Sequence, residues 1–470
     1  MKNNSFLLYL LVIFLFLGIA SIPLFSEGMF MDGLLYSAIS NNMANGIGSF
    51  WQPHLSNSLF PEFYEHPPLA IGLQSVWFWL FGDSFLVERF YSLFTYLLIG
   101  IGMLSIWIQM GKSLKSGWIP LFFWLMVSNV IWAVSNNMLE NTMAVFVVFA
   151  ASSYLKGLSK NNILFIILAG FFLSLGFLSK GFVCLYIWAF PLGMFLFTKR
   201  ISFAKTALHT ITLVGSTLLP LLLLFFFSEA ANNNLTSYFN KQVVGSIQNV
   251  STVNSRFAIL GEFFQHVLIL LLITGLVLLI AKVKKVKLSV NKEDKKLIYV
   301  FSFILLCGIL PIMISMKQRG FYILTVYPFF GLLMGIILAP LADNYLQKQE
   351  SKPKFNTLLK VSLIVLVIST LGLSIFSSQR IGRDKDELTD CKKVIEYIGT
   401  DKTIDMCSAT QWDNWSKHGY YSRYGNITLN RQGENEQEYF IVNNGECEAD
   451  TAHYDKIELD LSIHTLYKRK

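Results

Sequence analysis

Phe6-Leu7-Leu8-Tyr9-Leu10-Leu11-Val12-Ile13-Phe14-Leu15-Phe16-Leu17-Gly18-Ile19-Ala20 opens an apolar run that continues to Phe25 without a charge; soon afterwards the chain turns polar in Phe30-Met31-Asp32-Gly33-Leu34-Leu35-Tyr36. Twenty apolar residues in a helix rise about 30 Å, the thickness of a bilayer's hydrocarbon core. The first run therefore reads as a membrane span. Only Lys2 flanks it as a positive start, and nothing resembling a small-x-small cleavage site precedes Ser21-Ile22-Pro23, so it reads as an uncleaved signal anchor. Runs of similar length recur at 89–110, 118–135, 138–155, 162–179, 181–198, 207–227, 263–281, 297–316, 320–340 and 357–377. Short gaps such as 135–138 and 179–181 are tight turns between consecutive helices. With 53% hydrophobic and 14% charged residues, the chain is not an ordinary soluble globule. The expected fold class is a polytopic all-α membrane protein with about eleven transmembrane helices.

Basic residues orient these spans. With the N-terminus inside, successive inner loops carry Lys112 and Lys115, then Lys156 and Lys160, then Lys199, Arg200 and Lys205. Seven lysines follow between Lys282 and Lys296, and the last inner loop holds Lys348, Lys352 and Lys354. The outer loops hold only Lys180, Lys241, Arg256, Lys317 and Arg319. The net charge of +8 is therefore a topology signal, and no nucleic-acid partner is expected.

An odd number of crossings places 378–470 outside, on the side of the first outer loop, 26–88. Charges there are dense and mixed, and no apolar run approaches membrane length. The pattern predicts helices at 386–398 and 412–422 with strands at 403–408, 427–430, 438–443, 455–460 and 464–468, a small extracytoplasmic α/β domain following a transmembrane domain of 1–377. Of the five cysteines, Cys391, Cys407 and Cys447 lie in it. Cys407 and Cys447 are able to pair in an oxidising compartment, but three thiols leave one over and spacing does not assign the bridge. Cys184 and Cys307 fall in spans as packing residues.

The ionisable residues gather on one side. Asp32, Glu65, His66, Glu88, Arg89, Glu140, Lys180, Lys317 and Arg319 all fall at the outer membrane surface, and the span interiors are nearly free of charge. Transporters place such groups near the midplane, often on broken helices, so this pattern favours a reaction site at the outer face. Asp32 starts a helical pattern with Leu34, Leu35, Ala38 and Ile39 as its apolar stripe. A carboxylate there has a purely structural reason, helix-start stabilisation, and a functional one, proton abstraction from an acceptor hydroxyl. In Tyr64-Glu65-His66-Pro67-Pro68-Leu69 the two prolines restrict the backbone and hold Glu65 and His66 in place. Glu65 with His66 alone is too few groups for a metal site.

Asp32 with Tyr36 and Ala38, Glu65-His66-Pro67-Pro68-Leu69, Leu80-Phe81-Gly82 and Glu88-Arg89-Phe90 together resemble the bacterial members of the protein O-mannosyltransferase and lipid A aminoarabinose transferase superfamily, membrane glycosyltransferases of the GT-C fold. Asn136-Asn137-Met138-Leu139-Glu140-Asn141-Thr142 stands where that family often has an acidic residue opening a helix. Leu178-Ser179-Lys180-Gly181 is similar to its lysine-glycine turn, and Lys317-Gln318-Arg319-Gly320-Phe321-Tyr322 with Tyr327-Pro328 to its basic-aromatic motif. The pieces keep the family order over about 300 residues.

The resemblance implies an inverting transferase that takes a sugar from a polyprenyl-phosphate carrier, with Asp32 as catalytic base and a lipid, glycan or protein hydroxyl as acceptor. It implies a bacterial cytoplasmic membrane location with the site on the extracytoplasmic side. Glu65, His66, Arg89, Glu140, Lys180, Arg256, Lys317, Arg319 and Tyr322 are the matching candidates for substrate binding. A phosphate leaving group needs little protonation, so one base and several cations suffice. Lys180, Lys317 and Arg319, which break the charge bias, suit that phosphate. The sequence departs from the family at His66, where Lys is common before the double proline, at Gly33, where some relatives are acidic, and at Glu140, often Asp. The first departure admits a divalent metal ion on Glu65 and His66 as an alternative. The Asn- and Ser-rich outer loop 228–262 is expected to order over bound substrate. The competing function class is a polyprenyl-linked glycolipid flippase or other transporter.

Overall fold

The computed structural model describes residues 3–248, 250–286, 290–349, 352–407, 414–431, 437–445 and 453–470. Among these, nine helices are long and apolar enough to cross a membrane: Asn4–Phe25, Leu86–Gln109, Leu139–Lys160, Ile163–Lys180, Phe203–Phe227, Ala258–Val283, Lys292–Ile314, Gly320–Gln349 and Pro353–Ser377. The expected span 118–135 is instead a pair of helices, Leu114–Leu125 and Ser128–Ser135, bent by 76°. The expected span 181–198 is the shorter apolar helix Phe182–Thr198. Its first eight residues, Phe182–Ala189, wind as a 3₁₀-helix. That winding rises about 2.0 Å per residue against 1.5 Å for an α-helix, so a short segment reaches further. Every expected run is thus helical, and the count of about eleven becomes nine regular helices, one bent pair and one short irregular helix. The chain is a multi-pass membrane protein.

Packing follows side-chain size. Trp107, Tyr154, Phe190, Phe301, Tyr327 and Phe329 are wholly buried among the helices. Gly331 and Gly335 let Gly320–Gln349 lie directly on Pro120 and Trp124 of the bent pair. Peripheral helices such as Ala258–Val283 and Pro353–Ser377 leave most of their apolar surface facing outward, as lipid contact requires.

Three shorter helices sit on one face of the bundle. Met31–Ala44 and Leu69–Phe81 belong to the segment between the first two spans. The third, Glu229–Tyr238, continues through the π-helical Phe239–Val244 into Gly245–Gln248, where the sequence predicts a loop. Ser228 caps it by accepting from the Ala231 amide at 3.3 Å, and Ala231, Leu235 and Tyr238 bury one side. Tertiary burial therefore outweighs the poor helix propensity of Asn232, Asn233 and Asn234.

The C-terminal region packs on the same face. Strands β1 (Thr403–Met406), β2 (Thr428–Arg431), β3 (Tyr439–Asn443), β4 (Tyr454–Ile457) and β5 (His464–Arg469) form a sheet in the order β2-β1-β3-β5-β4. β1 runs parallel to β2 and β3, and β5 antiparallel to β3 and β4. Helices Lys385–Ile398 and Trp415–Gly425 accompany the sheet. Arg423 fastens this unit to the transmembrane part. Its side chain is 1% exposed and bonds Asp83 at 2.8 Å and Glu88 at 3.2 Å. Ser422 donates to the Leu55 carbonyl, Ser58 to that of Leu429, and Lys392 pairs with Glu27. Cys184, Cys307 and Cys391 are free thiols, Cys407 is disulfide-bonded, and Cys447 lies outside the described residues.

Candidate active site

The helix carrying Asp32 is placed by asparagines. The Asn136 side chain accepts from the Phe30 amide at 2.7 Å, one residue before the helix begins. Asn137 donates to the Gly33 carbonyl at 3.2 Å and exchanges hydrogen bonds with Gln74 at 2.6 and 3.1 Å; Ser40 donates to the same Gln74 oxygen. Asn137 adopts φ 47°, a left-handed conformation that asparagine tolerates better than most residues. Gly33 has no room for a side chain, since a Cβ there would lie 1.9 Å from the Asn136 carbonyl oxygen. The acidic residue of some relatives at this position is thus incompatible with this packing.

Glu140 and Lys180 reach the site by a simple geometric route. Glu140 lies in the first turn of Leu139–Lys160 and Lys180 ends the next, antiparallel helix, so both fall on one face. Each charge also complements its helix dipole. Their side chains, 1% and 6% exposed, pair at 2.7 Å. The second carboxylate oxygen of Glu140 has no hydrogen-bond partner among the described residues. Tyr36, Phe321 and Tyr322 surround the Lys180 ammonium with ring centroids 5.3–6.0 Å away, within cation–π range. Gly181, at φ +98°, allows the Tyr238 hydroxyl to donate to the Lys180 carbonyl at 3.3 Å; a Cβ at 181 would overlap that hydroxyl.

Lys317 and Arg319 flank the start of Gly320–Gln349. The Lys317 ammonium donates to the Gln242 side chain at 2.8 Å, which brings the π-helical segment over the site. Burial pushes the Lys317 ammonium down from its ordinary value, opposed by the carboxylates of Glu65 and Asp32. Asp32, half-buried, is held above the usual carboxylate range by burial, against the pull of Lys180, Arg319 and Lys317. Burial raises Glu65 in the same way, opposed by Lys317 and Lys241. His66 is driven well below its ordinary value by burial and by Lys180 and Lys317, so it stands neutral. Its ring packs on Tyr36, Phe63 and Tyr238, and Nδ1 has no hydrogen-bond partner among the described residues.

Several of these groups line a cavity of about 490 Å³, although Asp32, Glu65 and Arg319 are not among its lining residues. His66, Glu140, Lys180, Lys317 and Tyr322 line its polar end, and Phe182, Val183, Leu185, Pro311, Ile312 and Ile314 its apolar wall. A second, apolar cavity of about 560 Å³ shares Phe182, Leu185 and Tyr238 with it.

Two expected binding residues lie apart from this group. Arg89 is wholly buried beside Glu88 and donates to the Gly28 carbonyl at 2.7 Å, where its neighbours are Tyr420 and Tyr424 of the C-terminal region. Arg256 turns its guanidinium onto the backbone carbonyls of Met313 and Ile314, bracing the strand of chain that carries Lys317. Glu65 and His66 do come together with the lysines. Among the described residues, no group of three or more His, Cys, Asp and Glu side chains is placed to hold a metal ion.

Tyr238, Lys241 and Gln242 were outside the sequence-level site because they sit in an Asn-rich stretch that reads as loop. Gln74 gives no signal beyond being polar in apolar surroundings, and Asn137 is marked only by the family-like stretch that leads to Glu140.

No family model matches the chain, and no curated protein matches its sequence. Its fold is nevertheless that of solved membrane glycosyltransferases. ArnT from Cupriavidus metallidurans bound to undecaprenyl phosphate superposes with a TM-score of 0.70 at 13% identity, over 99% of this chain and 98% of that one. The archaeal oligosaccharyltransferase AglB from Archaeoglobus fulgidus, in complex with an inhibitory peptide and a dolichol-phosphate, matches with a TM-score of 0.51 at 12% identity, over 94% of this chain and 70% of that one. The chain thus has the GT-C fold.

Proposed function

We propose that this protein is an inverting glycosyltransferase that moves a sugar from a polyprenyl-phosphate carrier to a hydroxyl of a lipid, glycan or protein acceptor at the outer face of the bacterial cytoplasmic membrane. One observation carries the reading. Asp32 lies within electrostatic reach of Lys180, Arg319 and Lys317, brought from different stretches of chain, and two of these cations line a cavity whose remaining lining is largely apolar. A polyprenyl-phosphate sugar is amphipathic in the same order, with its phosphate at the lysines and its isoprenoid chain against Phe182, Leu185 and Ile312.

The chemistry follows from charge. The donor is a phosphodiester with one negative charge. As the acceptor oxygen bonds the anomeric carbon from the opposite face, the bond to the phosphate oxygen breaks and its electron pair leaves with the phosphate, which becomes a monoester with two negative charges. Lys180, Lys317 and Arg319 stabilise the added charge in a site shielded from water. Asp32 takes the acceptor's proton; burial makes its carboxylate a stronger base than an exposed one. A single displacement of this kind inverts the anomeric carbon.

Glycolipid and glycoprotein profiling of a deletion strain, complemented with wild type or Asp32→Asn, tests the reading. Removal of the general base is expected to lower transfer by about 10²- to 10⁴-fold. Full restoration of the missing glycoconjugate by Asp32→Asn would refute the assignment.

A further inference from the structure

A third cavity lies beside the two already described, and it differs in kind. It is open to solvent and holds about 300 Å³, at the lower end of the size range of ligand sites. Gln52, Glu62 and Tyr64, from the segment between the first two spans, form one wall, and Asn232, Asn233, Thr236 and Ser237 the other. The second wall is one face of helix Glu229–Tyr238, since those four positions are spaced by one and four residues. The opposite face carries Leu235 and Tyr238 into the apolar cavity. The two walls are tied together by the Asn234 side chain, which donates to the Trp51 carbonyl at 3.2 Å.

The lining has a distinct chemistry. Of the described residues that form it, none is Lys, Arg or His and none is aliphatic; three carry amides, two are small hydroxyls, one is a carboxylate and one a tyrosine. Glu62 and Gln52 both act on the Tyr64 hydroxyl, and Thr236 donates to Asn232 at 3.4 Å, so part of the wall is already organised. Gln52 and Asn233 are exposed. Planar amides and a carboxylate, each offering two adjacent polar atoms, suit pairs of neighbouring hydroxyls. A phosphate would meet Glu62 with no cation to offset it, and an apolar side chain would find no partner.

The groove adjoins the reaction site. Tyr64 immediately precedes Glu65 and His66, and two residues of chain span at most about 7 Å. Thr236 lines both this groove and the apolar cavity, and Tyr238 both apolar and cationic ones.

We propose that this groove binds the acceptor, and that the part of the acceptor seated in it is an uncharged, hydroxyl-rich glycan. The inference rests on the transferase reading above and narrows its acceptor to a saccharide, whether lipid-borne or free.

Saturation-transfer difference NMR on the full-length chain in detergent tests it, with maltotetraose and chitotetraose as neutral probes and glucose 6-phosphate as the charged one. At least one neutral probe is expected to bind, and binding is expected to weaken by about 2- to 12-fold in Gln52→Ala and in Asn233→Ala, the worth of one hydrogen bond each. Both positions are exposed, so neither change threatens the fold. Glucose 6-phosphate binding in preference to both neutral probes, no neutral binding at all, or neutral binding indifferent to both substitutions would each overturn the proposal. Undecaprenyl phosphate binding is measured alongside. If it binds while the neutral probes do not, the groove assignment fails and the transferase reading stands. If the neutral probes bind but undecaprenyl phosphate does not, the transferase reading fails and the acceptor role with it.

Discussion

Lys180 and Glu140 separate a structural role from a functional one when changed singly and together. Their ion pair is 2.7 Å long and almost wholly buried. Lys180→Met removes the cation and leaves the Glu140 carboxylate buried without a partner, which costs about 3–5 kcal/mol of stability. Adding Glu140→Gln removes the stranded charge, so the double variant is expected to recover most of that loss. Activity is expected to behave otherwise. If Lys180 bonds the departing phosphate, the transition state loses a charge-assisted hydrogen bond worth about 1.5–3 kcal/mol, a rate decrease of about 10- to 150-fold in both variants. The assay pairs thermal unfolding in detergent with transfer from a radiolabelled polyprenyl-phosphate sugar to membrane acceptors. A double variant that regains wild-type transfer together with its thermal midpoint would refute the phosphate role and leave the pair purely structural.

The pH dependence has a definite sign. Asp32 acts when ionised, and burial holds its pKa above the ordinary carboxylate value. Transfer is therefore expected to fall as pH drops through a point higher than an exposed aspartate would give, and Lys317→Met, by removing one opposing cation, is expected to move that acid limb further up; a limb that stays put or moves down would contradict it. Gly33→Ala drives a methyl into the Asn136 carbonyl, a clash expected to cost about 1–3 kcal/mol and to displace Asp32, so transfer falls even at temperatures where the variant is folded; unchanged transfer would show that the helix start is not held there. Arg423→Met removes the ion-pair partner of the buried Glu88, leaving only the neighbouring Arg89 to offset it, and is expected to cost up to about 3–5 kcal/mol. Limited proteolysis is expected to cleave faster near Ser378–Arg383 in that variant, and an unchanged cleavage rate would show that Arg423 does not hold the C-terminal unit down.

Much of the site was legible because its residues sit at helix ends and in short motifs. Glu140 and Lys180 are adjacent helix termini, so the span boundaries alone place them on one face. Lys317 and Arg319 stand out against the inner bias of basic residues. Arg89 carried the same kind of signal and meant something else: it is wholly buried near the C-terminal region, a neighbour distant in sequence. Arg256 likewise braces backbone carbonyls that composition does not mark. Tyr238, Lys241 and Gln242 escaped notice because an Asn-rich segment looks like a loop until burial of Leu235 and Tyr238 makes it a helix.

By itself, the sequence determined what a bilayer and a short reach dictate: apolar runs long enough to span, and the gathering at their ends of the ionisable groups that begin at Asp32. These depend on transfer free energies and on spacing along the chain, both of which are local. Only the tertiary structure decided which of those groups share a cavity, that Gly33 is needed for contact with Asn136, that 228–262 supplies a helix between three chambers, and that Arg423 locks the C-terminal unit over the first loop. Those outcomes depend on contacts between residues hundreds of positions apart, where packing and desolvation, rather than pattern, set the result.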